Sequence, residues 1–328
     1  MKIYFNTYPT AFQCPGGGEI QLLKSKEALE RRGHEVVLFN QWEHSLADAD
    51  AVHHFSAQGG TYNLCAYARN HGIPLVVSPI LWLSDYVDQY PMEEIGLITS
   101  FADAICPNSE AEVERFLSHF PEPREKYCVT YNGIDSLFFK LVSPDLFRTR
   151  FQVPEQFVLC VGNIEPRKNQ LKLLEAASSL NVHVVLIGNV RDAEYFSTLS
   201  DRFAGEVTYL GYLDHDSDLL RSAYSACSVF ALPSLLETPG LAALEAAASG
   251  SQLVITSEGC TEEYFGSGAL YVDPLCASSI AEGLENALSG RHEGVDKLKT
   301  YVQKFTWDNT AIQLEEAYSI ARTNLQKN

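Results

Sequence analysis

Basic residues are scarce in this chain: 24 Lys and Arg stand against 42 Asp and Glu, for a formal net charge of −18. Binding a nucleic-acid backbone needs a basic surface, so the balance argues against nucleic acid as a partner. It also argues against docking on anionic lipid. Only the run Lys24, Lys26, Arg31, Arg32 on the first predicted helix supports a peripheral membrane contact, and a solvated helix face explains it more simply. No stretch approaches the ~18 apolar residues of a membrane helix. The opening MKIYFNTYP reads directly as a strand with no long apolar run behind it, so no signal peptide is expected. The eight cysteines (14, 65, 106, 128, 160, 227, 260 and 276) form no C-x-x-C pair, and several sit in apolar runs such as FVLCVG. They are expected to be buried free thiols of a reducing, cytoplasmic setting rather than disulfides or zinc ligands. Also missing are G-x-G-x-x-G and G-x-x-x-x-G-K-[ST], which weakens dehydrogenase and P-loop readings. Short repeats and low-complexity segments are absent too.

What remains is an ordinary globular composition, 46% hydrophobic and 20% charged, over 328 residues, a length that suggests two domains. Short β-rich runs alternate with helical patterns, which points to βαβ units and parallel sheets. In the first half the strand candidates are KIYFN, EVVLFN, DAVHHF, PLVVSP, DAICPN and CVTYN. In the second half they are FVLCVGN, HVVLIGN, VTYLGY, SVFALPS, QLVITSE and ALYVDP. Strands that are apolar from end to end imply sheets covered on both faces. Residues 132–156, with two prolines and no clean period, read as the connection. The expected fold class is α/β, with two Rossmann-like, doubly wound parallel-sheet domains facing a cleft. The first domain spans 1–145 plus a returning helix at 307–328, and the second spans 146–306.

Three stretches carry chemistry. YPTAFQCPGGGEIQLL is a glycine-rich turn after the first strand, suited to bringing backbone N–H groups and a helix start close to a phosphate or sugar, or simply to a tight turn. VGNIEPRKNQ places Arg167 and Lys168 at the carboxyl end of a strand, where two cations suit a diphosphate; an exposed loop pair is the plainer alternative. ETPGLAALE holds Glu237 and Glu245 on either side of a Pro-Gly pair, with Pro239 expected at the first helical position. The two acids suit acceptance of hydrogen bonds from vicinal diols, while the amides of Gly240, Leu241 and Ala242 face a diphosphate or sugar. A glycosidase acid/base pair is the rival reading, and spacing along the chain does not decide it.

Taken in order, PGGGEIQ…LERRGHEV, ADAICPNSEAE, TYNGID, VGNIEPRKN…LLEA, the stretch from VTYLGY to LEAAASG with its E-x7-E element, and FTWDNTA resemble the family-4 retaining glycosyltransferases (glycosyl transferases group 1) of GT-B fold. The resemblance implies that the second domain binds a nucleoside-diphosphate sugar and the first receives a glycan, lipid-linked or other acceptor. A hexose-type sugar would be transferred with retention, without a cofactor or an obligatory metal. It implies that Glu237 contacts the donor sugar's hydroxyls and Glu245 the ribose. Gly16, Gly17 and Lys168 would lie near the donor phosphates, and the 240–242 amides would form the donor loop. The last helix, from Trp307, would return to the first domain.

Two positions depart from the family pattern. Asn163 stands where many members have arginine, with Arg167 as a substitute charge. Ile80 and Leu81 stand where many members have a histidine. His53 and His54, after the preceding strand, or Asp85 are the candidates to replace it. The missing histidine leaves two alternatives open, a non-catalytic sugar-nucleotide-binding accessory subunit and a sugar-nucleotide epimerase of the same fold.

Overall fold

The computed structural model describes residues 1–13, 15–84, 87–290 and 294–327, so Cys14 and Asp85 lie outside the described residues. The chain divides into two compact units, Met1–Gly133 joined by the chain from Phe305 onward, and Ile134–Lys304.

The first unit is built from β1 (Lys2–Asn6), α1 (Gly17–Arg31), β2 (Glu35–Leu38), β3 (Ala51–Phe55), α2 (Tyr62–Asn70), β4 (Leu75–Ser78), α3 (Met92–Phe101), β5 (Ala104–Ile105) and α4 (Glu110–His119). The five strands are parallel, in the order β2-β1-β3-β4-β5. Every residue of β3 and β4 is buried, as a doubly covered sheet requires. Local chemistry sets the helix starts. In α4 the Ser109 hydroxyl accepts from the Glu112 N–H at 3.0 Å, and the Glu112 carboxylate accepts from the Asn108 N–H at 2.8 Å. The segment CVTYN is not a strand: the one bridge, Ile105 to Tyr127, is made by the residue before it, and the segment itself runs irregularly. Its backbone is tied instead to the last helix, whose Gln313 side chain accepts from the Tyr131 N–H at 2.8 Å.

That last helix, Trp307–Lys327, packs on α1 and on the β4–β5 edge. The basic residues of α1 and its C-cap pair with acids of that last helix or of α1 itself. Arg32 donates twice to Glu315 at 2.8 Å, Arg31 lies 2.8 Å from Asp308, and Lys24 and Lys26 pair with Glu27 and Glu30. The run read as a solvated face or membrane patch is therefore matched by acids within the unit.

His53 and His54 lie inside β3 rather than beyond it, and both are fully buried. His53 Nδ1 is 2.8 Å from the Tyr318 hydroxyl and Nε2 is 2.9 Å from Ser78 Oγ. His54 accepts from Asn6 Nδ2 at 3.0 Å and meets Thr61 Oγ1 at 2.8 Å. With both ring nitrogens used, neither histidine replaces the one missing beside Ile80 and Leu81. Burial pushes His53 well below its ordinary value and brings His54 down to about 4. The unfolded chain takes up these protons near pH 6.5 while the folded one does not, so stability present above that pH falls as the pH drops towards 4. His54 alone is expected to remove about 2 kcal/mol by pH 5. Urea titrations at pH 7.5 and 5.0 should show a smaller loss in His54→Gln than in wild type; equal losses would remove His54 from the account.

The second unit contains α5 (Pro144–Phe151), β6 (Phe157–Val161), α6 (Gln170–Ser179), β7 (His183–Ile187), α7 (Ala193–Arg202), β8 (Val207–Tyr209), α8 (Asp218–Ala226), β9 (Val229–Leu232), α9 (Leu241–Ser249), β10 (Leu253–Thr256), α10 (Thr261–Phe265), β11 (Leu270–Val272), α11 (Ala277–Leu288) and α12 (Val295–Tyr301). The last helix is α13. Six parallel strands run in the order β11-β10-β9-β6-β7-β8.

Residues 134–145 belong to this unit, not to the first as the sequence suggested. Phe138 is fully buried against Tyr224, with ring centroids 5.9 Å apart, and its carbonyl accepts from Ser249 Oγ at 3.3 Å. The connection also holds a helix that the sequence reading missed. Ser143 caps it, accepting from the Asp145 N–H at 3.3 Å, and Pro144 starts it.

Seven cysteines are free thiols: 65, 106, 128, 160 and 260 are buried, and 227 and 276 half-buried. No described helix is long and apolar enough to cross a membrane.

Candidate functional site

In the second sheet, neighbouring β6 and β9 connect to opposite sides, so the chain leaves their carboxyl ends in opposite directions and opens a crevice there. The sequence's charged candidates come from these two ends. Beyond β6, Gly162 and Asn163 lead to a short 3-10 turn, Pro166–Lys168. Beyond β9, Pro233 and Ser234 lead to Glu237, whose N–H donates to the Glu258 carbonyl and whose carbonyl accepts from Cys260, each at 3.2 Å.

Lys168 Nζ donates to Glu237 Oε1 at 2.5 Å, and Arg167 Nη1 lies 4.0 Å from the same oxygen. The stem of Lys168 passes under Gly162, where an added Cβ would meet its Cε at 3.5 Å. Arg167 is half-exposed; it donates through Nη1 to the Leu236 carbonyl and through Nη2 to Glu165 Oε1, both at 3.1 Å. Arg191 donates to the other Glu165 oxygen at 3.3 Å. A buried carboxylate thus links two arginines beside the Lys168–Glu237 pair. Burial alone would push the Glu237 carboxyl up, but Lys168 and Arg167 outweigh it and hold the group below its ordinary value.

The helix that follows begins at Leu241, not at Pro239. Gly240 is its N-cap at φ +88°, a left-handed conformation that ends the loop and that a side chain rarely adopts. A Cβ there would also crowd Glu237 Oε2 at 3.2 Å. Leu241 and Ala242 occupy the first two helical positions, where backbone N–H groups have no intrahelical acceptor.

Glu245, one turn further, is buried among different partners. Its Oε2 accepts from the Tyr224 hydroxyl at 2.8 Å, and its Oε1 lies 3.3 Å from His215 Nδ1. Burial pushes its carboxyl up; His215 and Tyr224 oppose this, while Asp135 and Asp216 add to it. The two glutamates are therefore unlike, one held by cations and the other by an imidazole and a phenol. Each acid of ETPGLAALE thus has a separate environment.

Asn163 is half-buried, and its carbonyl accepts from Gln170 Nε2 at 2.9 Å. Gly16 and Gly17 belong to the first unit, as the N-cap and first residue of α1. There the Gly16 N–H donates to Glu19 Oε2 at 2.7 Å, and the Tyr8 hydroxyl donates to Glu19 Oε1 at 2.8 Å. Among the described residues, the one group spaced to hold a metal ion is Asp135, His215 and Asp216, whose ligating atoms lie within 4.8 Å of one another.

Sequence reasoning missed Glu165, Arg191, His215 and Tyr224. Glu165 stands two residues from Arg167 in EPRKN, a signal that went unused. Tyr224 reaches Glu245 from a separate helix, which no local pattern announces.

Residues 144–305 match the model of glycosyl transferases group 1. An uncharacterized glycosyltransferase of Methanocaldococcus jannaschii is 29% identical over 231 residues, 65% of this chain and 59% of that protein. The D-inositol 3-phosphate glycosyltransferase of Mycolicibacterium smegmatis is 27% identical over 71% of this chain and 57% of its own length. The matched stretch thus spans under two thirds of both relatives. Among solved structures, the sucrose-phosphate synthase of Thermosynechococcus elongatus superposes with a TM-score of 0.81 at 18% identity, covering 97% of this chain and 98% of that one. HepE of Anabaena, in complex with UDP and glucose, superposes with a TM-score of 0.76 at 20% identity over 97% and 99%. The two parallel-sheet units are those of the GT-B glycosyltransferase fold. Through its second unit, this chain is similar to the glycosyl transferases group 1 family.

Proposed function

We propose that the chain transfers a hexose-type sugar from a nucleoside-diphosphate sugar to a glycan, lipid-linked or other acceptor, with retention and without an obligatory metal. The observation that carries this is the Lys168–Glu237 pair at the carboxyl ends of β6 and β9, flanked by Arg167 and by the start of α9. Negative charge develops on the leaving diphosphate as the glycosidic bond breaks. Lys168, Arg167 and the Leu241 and Ala242 amides are groups of the sign that stabilises it. Glu237 keeps Lys168 in place and accepts from hydroxyls of the donor sugar; Glu245 accepts from the ribose. The glycosyltransferase relatives and the complex of HepE with UDP and glucose support this reading.

Ligand-induced thermal shifts with UDP, GDP, ADP and dTDP and their sugar conjugates test it. A ligand at 100 times its dissociation constant stabilises by ~2.7 kcal/mol. One nucleotide is expected to raise Tm in wild type and to lose that effect in Glu245→Ala and Lys168→Ala. No shift with any nucleotide would sink the proposal.

One observation favours a second reading, a binding subunit without turnover. Ile80 and Leu81 occupy the histidine position of the resembled family, and His53 and His54 are sealed in the sheet. Donor-dependent release of nucleoside diphosphate with candidate acceptors separates the two readings, because only the transferase releases it.

A further inference from the structure

We infer that His215 is a positioning residue that aims the Glu245 carboxylate so that the site selects a ribonucleotide over its deoxy counterpart. The inference rests on the proposed nucleotide-sugar site and adds a residue that the site's sequence signature does not contain.

Each carboxylate oxygen has two lone pairs. Tyr224 occupies one on Oε2, and His215 faces Oε1 at 3.3 Å. The Tyr224 hydrogen bond and the His215 ring beside Oε1 restrict rotation of the carboxylate, and each oxygen keeps a lone pair for a ligand. Two acceptors fixed on one carboxylate match the two hydroxyls of a vicinal diol. Phe138 steadies both holders: its ring meets the His215 ring edge-on at 5.2 Å and the Tyr224 ring at 5.9 Å.

Charge supplies the second strand. Glu245, Asp135 and Asp216 surround His215, and the two aspartates add to the burial that pushes the Glu245 carboxyl up. Tyr224 offers only a neutral hydrogen bond. His215 is the basic group facing this cluster. Without it, Oε1 loses the basic neighbour that fixes its direction, and the carboxylate is left oriented by Tyr224 alone.

The test is a ratio of dissociation constants. Calorimetric titration of wild type with UDP, GDP and ADP, and with their 2′-deoxy and 3′-deoxy forms, should find one ribonucleotide bound about tenfold or more tighter than its deoxy forms. In His215→Ala that ratio should fall to about twofold or less. His215→Asn, which offers an amide N–H but no basic group, should recover at most part of it. A His215 with only a structural role would weaken ribo and deoxy ligands equally, and an unchanged ratio in His215→Ala overturns the inference while leaving the nucleotide site standing. Wild type that binds no nucleotide overturns both. Melting curves of the free variants separate a loss of fold from a loss of selection.

Discussion

Lys168→Ala is expected to lower the turnover number for sugar transfer by about 10²–10³-fold, the loss typical of removing one preorganised group that meets charge in a transition state. The same change should destabilise the second unit by about 3 kcal/mol. Glu237 is nearly buried, with 6% of its side chain exposed, and Lys168 retains 13%, so the carboxylate would lose the nearer of its two cations. Burial already works to push the Glu237 carboxyl up, and Lys168 leads the groups that reverse it. A second substitution separates the two effects. Adding Glu237→Gln to Lys168→Ala removes the uncompensated charge and should recover much of the stability while leaving turnover low. Guanidinium denaturation and steady-state kinetics of the two single variants and the double variant check this. A Lys168→Ala enzyme with turnover within threefold of wild type would remove the lysine from the donor site.

The strand order of neither sheet was legible in the sequence, but the strands mostly were. VVLI and VFAL runs are apolar from end to end, and a doubly covered sheet needs that. The failures have local causes. CVTYN has the composition of a strand, yet its backbone is tied to the last helix and the one bridge falls just before it, at Tyr127. Pro144 was counted as a breaker when, beside Ser143, it is a start signal. Pro239 was read as a helix start although Gly240, in a left-handed conformation, stands between it and the helix. His53 and His54 are polar letters in an apolar strand, and their burial depends on Ser78, Tyr318, Asn6 and Thr61 arriving from four other segments.

The site shows the same division. Arg167, Lys168, Glu237 and Glu245 were visible because residue type, adjacency to a strand end and helix-start chemistry lie within short windows. The groups that set their charge state were not visible. Arg191 meets Glu165 across 26 residues, and Tyr224 meets Glu245 across 21. Both pairs exist only because β6, β7 and β9 are neighbours in the sheet, with α8 and α9 packed beside them. A sequence pattern names the candidate groups; the parallel sheet decides which side chains each of them meets.

Gly259→Ala should damage fold and site together, although residue 259 contributes no functional side chain. Gly259 sits at φ +100°, a conformation that costs an L-residue about 1–2 kcal/mol. An alanine Cβ would also lie 2.0 Å from the Glu237 carbonyl oxygen and 3.2 Å from its nitrogen. No side-chain rotation relieves a clash with backbone, so either the 258–260 loop or the 235–238 loop must move. The two are tied by the Glu237 N–H to Glu258 and by the Cys260 N–H to the Glu237 carbonyl, and movement of either breaks that pairing. Losing two partly buried hydrogen bonds adds about 2 kcal/mol, for a total near 3–4 kcal/mol. Glu237 would shift away from Lys168, so nucleotide-sugar binding should weaken even at temperatures where the variant remains folded. Gly250→Ala is the matched control: it has a similar φ of +87° but nothing within 4 Å of an added Cβ, so it should show the conformational cost alone. Denaturation midpoints and donor titrations of both variants provide the comparison. Equal destabilisation of the two would show that the 258–260 loop yields without cost and that Glu237 is not anchored there.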